Sequence, residues 1–338
     1  MTLSDLEHFR NLLLERQDNV QQWMETGTGL AAGAVEKAQA LLIEIKEALK
    51  RVDNKSFGEC QVCHGEVERH RLEVQPTAHI CLECISGAEK TQLEEELYLA
   101  SKIHRALLPQ DIARIDGFEI AVKSLAARSV GGDYYDFFPS NTEEITRVVI
   151  ADAMGKGLPA GLLMSNIQGA LKILSEDIES PSLLITRLNR WLCHNVPVTK
   201  FVSLACVAIE SGADNRSRIV QTNAGHCPPL LVRSDGSIEK LNPTGGVLGV
   251  HEAFEYCEET LYLDRGDLLL LYTDGVTEAE NGAGEMFDES RLIEFLKGHH
   301  SRESLEELLT GLHDEVMKFS GHKDLQDDLT VIAVRKIK

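Results

Sequence analysis

Four aspartates stand at the ends of apolar runs in the C-terminal two-thirds of the chain, each beside glycine or a second acid. They lie in Gly131-Gly132-Asp133-Tyr134-Tyr135-Asp136, Ala151-Asp152-Ala153-Met154-Gly155-Lys156-Gly157, Tyr272-Thr273-Asp274-Gly275 and Asp327-Asp328-Leu329-Thr330. A carboxylate taken out of water is costly unless a cation meets it. Only the second motif carries a basic residue, Lys156, so a convergence of Asp133, Asp152, Asp274 and Asp327 calls for positive charge from elsewhere. A pair of hard divalent cations supplies it, and oxygen-only ligand sets select Mg2+ or Mn2+ over zinc. Two such ions roughly 3.5–4 Å apart can acidify a water and aim it at phosphorus. That chemistry needs no nucleophilic side chain, and no Gly-x-Ser-x-Gly occurs in the chain. A metal-dependent hydrolase is the first expectation.

A second set of ligand types is thiolate. Cys60-x-x-Cys63 and Cys81-x-x-Cys84 are separated by 17 residues. Two such knuckles supply the four sulfurs of a tetrahedral zinc site. His64 and His79 lie beside the knuckles, as substitute ligands or as ordinary polar loop residues. Cys193, Cys206, Cys227 and Cys257 are scattered and read as small buried hydrophobes. The N-terminus lacks a basic stretch followed by an apolar one, and no apolar run reaches the ~18 residues of a spanning helix. Eight cysteines without an export signal indicate thiols and metal ligands in the cytoplasm, with no membrane partner. The net charge of −20 argues against a general nucleic-acid surface, which needs clustered Lys and Arg.

Stiff elements must bring the acids together. Short apolar or alternating runs predict strands at 118–123, 147–150, 201–209, 218–222, 267–272 and 330–334. Helical periodicity predicts helices at 159–174, 182–193, 289–297 and 304–319. Strands in groups with helices inserted late indicate an α+β sandwich. Ahead of it, residues 1–56 read as two helices, folded as a hairpin or running as one bent helix, with a break near Gly27 and Gly29. Residues 57–88 are too short and polar for a core of their own and need a metal staple. Residues 89–109 read as a linker helix stopped by Pro109, and 110–338 as the catalytic domain. The linker's apolar stripe of Leu93, Leu97, Ala100 and Leu107 either buries against its own domain or pairs with a second chain as a homodimer.

Two resemblances sharpen these expectations. Phe57-Gly58-Glu59-Cys60-Gln61-Val62-Cys63, then Arg71-Leu72, Pro76 and Cys81-Leu82-Glu83-Cys84, resemble a DksA/TraR-type zinc finger. One departure is His64, where that family usually has glycine. Its members insert a helical hairpin into the secondary channel of RNA polymerase and act through acidic residues at the tip. The tip here, Gly27-Thr28-Gly29-Leu30-Ala31-Ala32-Gly33, carries no aspartate.

Residues ~95–338 resemble the SpoIIE/RsbU branch of the PPM-type (protein phosphatase 2C-like) serine/threonine phosphatases. The resemblance runs through Ala100-x-x-Ile103-x-x-Ala106-Leu107-Leu108-Pro109, the four aspartate motifs, Asn223-Ala224-Gly225-His226-x-Pro228-Pro229 and Tyr272-Thr273-Asp274-Gly275-Val276-Thr277-Glu278-Ala279. It implies an α-β-β-α sandwich with two Mn2+ or Mg2+ ions between the sheets. Asp133 and Asp152 would then bind both metals, Asp274 and Asp327 one side each, and the Ala153 carbonyl would also ligate. Asp327 is preferred over Asp328 as the direct ligand, and Asp328 or Asp136 would share duty through water.

Lys156 reads either as a contact for the substrate phosphate or as a solvated loop lysine; Arg128 is a weaker candidate for the same contact. His226 reads as a general acid or as part of a shaped turn. The expected protein is a cytoplasmic phosphoprotein phosphatase with a structural Zn2+ module that regulates it through residues 89–108. The branch commonly acts on STAS-type anti-sigma-factor antagonists. The rival expectation is an RNA polymerase-binding interaction protein with a secondary phosphatase domain.

Overall fold

The computed structural model describes residues 3–26, 32–85, 87–140, 144–196, 200–210, 216–299 and 304–338. The chain forms two compact units, Met1–Glu95 and Glu96–Lys338.

In the first unit, α1 (Leu3–Thr26) and α2 (Ala32–Asp53) fold back on one another. Phe9 and Leu13 of α1 are buried with Ile45, Ala48 and Val52 of α2. Arg10 of α1 meets Asp53 at the end of α2 at 2.8 Å. The helices therefore make a hairpin and not one bent helix; of its expected tip, residues 27–31 lie outside the described residues. The same core continues into the cysteine-rich segment through Phe57, Val67 and Leu72, the last in α3 (Arg69–Val74). So short a polar segment closes because it borrows the hairpin's apolar face. α4 (Gly87–Leu107) follows, its side chain at Leu93 lying outside the described residues.

The second unit holds two five-stranded sheets. One runs in the order β1 (Phe118–Leu125), β10 (Leu329–Lys336), β9 (Leu268–Tyr272), β6 (Leu230–Val232), β7 (Ile238–Lys240). The other runs β2 (Asp133–Pro139), β3 (Ile145–Ala153), β4 (Val202–Glu210), β5 (Arg216–Ala224), β8 (Glu259–Asp264). α5 (Leu158–Asp177) and α6 (Pro181–Asn195) cover the second sheet; α7 (Asp274–Thr277), α8 (Asp288–His299) and α9 (Leu305–Ser320) cover the first. Between the sheets lie Phe137, Val148, Ile150, Leu269, Leu271 and Ile332. This is the expected α-β-β-α sandwich.

Its strands read as unbroken apolar runs because both faces are covered: Val148 and Ile150 point between the sheets, while Val149 and Ala151 meet the helices. Local chemistry sets the helix ends. Ser304 and Glu307 form a capping box at α9, and Gly321 closes it in the left-handed conformation. The six expected strands and four expected catalytic-domain helices are present, while β2, β6, β7 and β8 come in addition. Among the described residues no helix is long and apolar enough to cross a membrane. The scattered cysteines are not uniformly buried: Cys206 is, Cys193 and Cys227 are half-buried, and Cys257 is exposed.

Candidate metal-dependent active site

The four aspartates come from strand ends that lie together. Asp133 opens β2 and stands opposite Asp152 near the end of β3, so both side chains share the face turned toward the other sheet. Asp274 starts α7 with one residue between it and the end of β9, and only Asp328 separates Asp327 from the start of β10. β9 and β10 are ladder neighbours, which brings their acids side by side. Gly275 locks these two segments together. A Cβ built there would lie 1.9 Å from the backbone oxygen of Asp328, so only glycine permits the approach.

Crowding of like charge is evident in how the acids ionise. Burial and the Asp152 charge raise Asp133 well above the usual carboxylate range, while the Thr273 hydroxyl, donating to its Oδ2 at 2.8 Å, opposes this. Burial raises Asp152 to about 7, helped by Asp274, Asp327, Asp328 and Glu278. Asp274 rises to about 6 through burial, then Glu278 and Asp327. Such acids are held apart from their preferred state until cations reach them. The ammonium of Lys156 already stands in for one: it lies 2.6 Å from Asp327 Oδ2 and donates to the Gln326 carbonyl at 3.1 Å. Hard oxygen donors, shared crowding and one cation on the set all fit a hard divalent ion.

The paired acids divide clearly. Asp328 is buried, and its two oxygens accept backbone N–H groups from Ala127 at 2.7 Å and Gly132 at 2.5 Å. It braces the loop that delivers Asp133. Asp327 is half-buried and open to the cleft. Asp136 departs from the expectation of shared duty. Three residues on from Asp133, it faces the opposite side of β2, where Lys172 at 2.7 Å, the Tyr134 hydroxyl at 2.6 Å and the Phe137 N–H at 2.8 Å saturate it. The Ala153 carbonyl faces Gly132, where a Cβ would approach it to 3.1 Å.

A basic rim surrounds the glycine loop. Arg128 lies over Gly157, and Lys200 Nζ would come within 3.3 Å of a Cβ at Gly155. Beside Lys156 and Asp327, a cleft of about 270 Å³ is lined further by Glu278, Met317, Ser320 and Asp324. Glu278, Lys200 and Cys227 were not singled out from sequence. Glu278 lies in the quoted Asp274 motif, and its charge reaches both Asp152 and Asp274; the other two carried no signal of their own. The Cys227 thiol is pushed up to about 12 by burial and then by Asp274, Asp152, Glu278 and Asp133, which places it against the cluster as a neutral group. His226 is buried in a turn pinned by Asn223, whose Oδ1 accepts its N–H at 2.8 Å. The turn reading of its motif matches this geometry.

In the N-terminal unit the ligand sulfurs of Cys60, Cys63, Cys81 and Cys84 lie within 4.8 Å of one another. Sulfurs 2.3 Å from a tetrahedral zinc would lie about 3.8 Å apart, so the set fits that ion. Backbone N–H groups point at the sulfurs, Val62 and Cys81 at Cys60 and Gly65 at Cys63. These donors favour the thiolate, and the N–H groups of Cys63 and Cys81 lead in drawing Cys60 down to about 6. Neither histidine joins the set: His64 is exposed and bonded to Glu59 at 3.0 Å, and His79 is exposed.

Comparison with known proteins agrees with this geometry. A family model described as Stage II sporulation protein E (SpoIIE) matches residues 142–336, more than half of the chain. The chain is 30% identical over 248 residues to the phosphoserine phosphatase RsbU of Bacillus subtilis, covering 72% of this chain and 71% of that protein. The fold resembles the SiaA-PP2C domain of Pseudomonas aeruginosa with a TM-score of 0.64 and 21% identity, over 74% of this chain and 99% of that one. A separate stretch of 54 residues in the N-terminal part is 39% identical to the RNA polymerase-binding transcription factor DksA of Buchnera aphidicola, spanning 16% of this chain and 36% of that protein.

Proposed function

The chain belongs to the SpoIIE family of PPM-type serine/threonine phosphatases, and from that premise we propose that it removes phosphate from phosphoserine or phosphothreonine on a regulatory protein partner. The observation that carries this is the meeting of Asp133, Asp152, Asp274 and Asp327, from four separate stretches, at one end of the inter-sheet space.

These four, with the Ala153 carbonyl, would hold two Mn2+ or Mg2+ ions. When bound, such ions supply Lewis-acid activation of the attacking water and neutralise phosphoryl charge. The chain's own residues do the rest. Thr273 fixes the Asp133 carboxylate, and Asp328 fixes the loop that carries it. Lys156, Arg128 and Lys200 ring the glycine loop with positive charge, the sign a phosphate dianion requires. Lys156, now paired with Asp327, would turn to the phosphoryl oxygens if that carboxylate were engaged by a cation.

RsbU is named for phosphoserine, and that likeness favours a phosphoserine protein, such as a STAS-type anti-sigma-factor antagonist, as substrate here. Cys60, Cys63, Cys81 and Cys84 would hold one structural Zn2+ in a module that regulates the phosphatase. α4 supports a homodimer, because Leu97, Tyr98, Leu99 and Ile103 are exposed on it.

The test compares phosphoproteomes of cells carrying the wild-type chain and Asp274→Asn, followed by Mn2+-dependent phosphate release from the protein identified. A substrate hyperphosphorylated in the variant, and dephosphorylated by the wild type only without chelator, is the expected result. Equal turnover of phosphoserine protein in excess chelator would overturn the metal reading. Capture of core RNA polymerase by a catalytically silent chain would favour the rival binding function.

A further inference from the structure

The hydroxyl of Ser203 and the imidazole of His226 form a hydrogen-bonded pair outside the four aspartates. Ser203 stands opposite Asp152 in the β3–β4 ladder. Opposed residues of an antiparallel pair share a face, with Cβ atoms about 4.5–5.5 Å apart. Ser203 Oγ lies 2.8 Å from His226 Nδ1. The imidazole is held there by its turn: Asn223 accepts the His226 N–H and returns its own amide to the His226 carbonyl at 3.2 Å. The other ring nitrogen, Nε2, is buried without a hydrogen-bond partner among the described residues. With the ring proton on Nε2, Nδ1 is the acceptor and Ser203 the donor.

We propose that Ser203 and His226 are a positioning pair for the acidic centre: with its ring proton on Nε2, His226 accepts the single O–H of Ser203 at Nδ1, so that Ser203 meets the Asp152 side of the cleft as a hydrogen-bond acceptor and favours a hydrated divalent cation there. With the opposite tautomer the hydroxyl would donate to Asp152 and compete with the cation for its oxygens. The contrast is Thr273, whose hydroxyl donates to Asp133 Oδ2 while accepting the Thr330 N–H at 3.0 Å. Groups around the inner ligands of a metal commonly set affinity by tenfold or more when altered.

The inference rests on the divalent-cation reading of the cluster, and its test is built to separate the two. Mn2+ is titrated calorimetrically into the full chain, freed of Mn2+ and Mg2+ with its zinc left in place. Ser203→Ala should weaken binding about threefold to tenfold, and Ser203→Thr should restore it. His226→Leu frees the hydroxyl to cap Asp152 and should weaken binding by more than about tenfold. Adding Ser203→Ala to His226→Leu removes the misdirected donor, so the double variant should bind more tightly than His226→Leu alone. A purely structural turn predicts the reverse, and a double variant no tighter than the single one overturns the proposal, as does His226→Leu binding like wild type.

Should His226→Leu fail to fold, the imidazole 15N shifts of the histidine-labelled wild-type chain decide. A proton on Nε2 is the expected result, and a proton on Nδ1 overturns the proposal. A wild-type chain that binds no Mn2+ sinks the cation reading, while the nitrogen shifts still test the pair.

Discussion

At residue scale, the carboxylates that would hold the ions are a burden to the metal-free chain. Asp152 and Asp274, raised to about 7 and about 6, bind more protons in the folded chain than in the unfolded one, where they titrate near ~3.9. Metal-free stability contributed by these groups therefore falls as pH rises between about 4 and 7. His226, lowered to about 4 by burial, has the opposite sign: its contribution is present above ~6.5 and lost as pH falls toward 4. Comparison with Asp152→Asn isolates the carboxylate. In chelator at pH 8 the variant should be more stable than wild type by on the order of 2 kcal/mol, and by much less at pH 5. Added Mn2+ should then stabilise the wild type and not the variant. Denaturant melts at the two pH values read this, and a gap that does not change with pH would contradict it. Gly275→Ala acts by contact alone. Its methyl meets the Asp328 oxygen at 1.9 Å, so the segments carrying Asp274 and Asp327 must separate. A loss of roughly 2–3 kcal/mol in a thermal melt, with Mn2+ binding lost alongside, is the expected outcome.

At the scale of elements, the segment that carries the four clustered cysteines contains a residue in a costly conformation. His64 has φ of 58°, the left-handed region where a side chain costs roughly 1 kcal/mol or more. The resembling family usually has glycine there, and the exposed bond to Glu59 returns little. His64→Gly should raise the unit's stability by about 0.5–1 kcal/mol at constant zinc, measured by denaturation; a lower midpoint would show that the Glu59 bond outweighs the strain.

The same scale explains what could be read from sequence. Asp152, Asp274 and Asp327 were legible because each abuts an apolar run, and a strand fixes its ends. β2 was not: two glycines precede it and Asp136 interrupts its apolar character. The partner that makes Asp136 acceptable, Lys172, lies on α5, and no local pattern announces it. Lys200, Cys227 and Ser203 reach the site through the packing of β4 and the β5–β6 connection, which one-dimensional spacing does not encode. Asp327 could be preferred over Asp328 only weakly from sequence, because the distinction lies in which carboxylate the backbone of Ala127 and Gly132 saturates.

At the scale of the whole molecule, the proposed regulation needs an element that bears on the acids, and within the second unit α4 borders the cavity that Asp133 and Asp328 line. Ser101 and His104 are buried while Leu97, Tyr98, Leu99 and Ile103 of the same helix are exposed. Ser101 and His104 follow Leu97 at i+4 and i+7, so the buried side continues the stripe expected from periodicity, whose Ala100 and Leu107 are half-buried. His104 packs against Gly131, next to Gly132 and Asp133, and a cavity of about 320 Å³ joins it to Asp133 and Asp328. The buried face thus bears on the loop that delivers Asp133, and Leu99 and Ile103, one turn apart, present an exposed apolar face that the proposed dimer would use. Leu97→Pro would remove a helical hydrogen bond and clash with the preceding turn, at a cost of about 3 kcal/mol. We expect it to lower the dimer fraction in sedimentation and to change turnover of phosphoserine protein by at least about tenfold, with Mn2+ affinity shifting in the same variant. Glu95→Ala, exposed on the same helix, serves as the control and should leave all three unchanged. Because proline breaks the helix irrespective of partner, Ile103→Glu separates the two routes: it puts charge on the exposed face while leaving the helix intact. Loss of dimer with unchanged turnover in Ile103→Glu would assign control to the His104 contact alone, whereas wild-type behaviour of both variants would remove α4 from regulation.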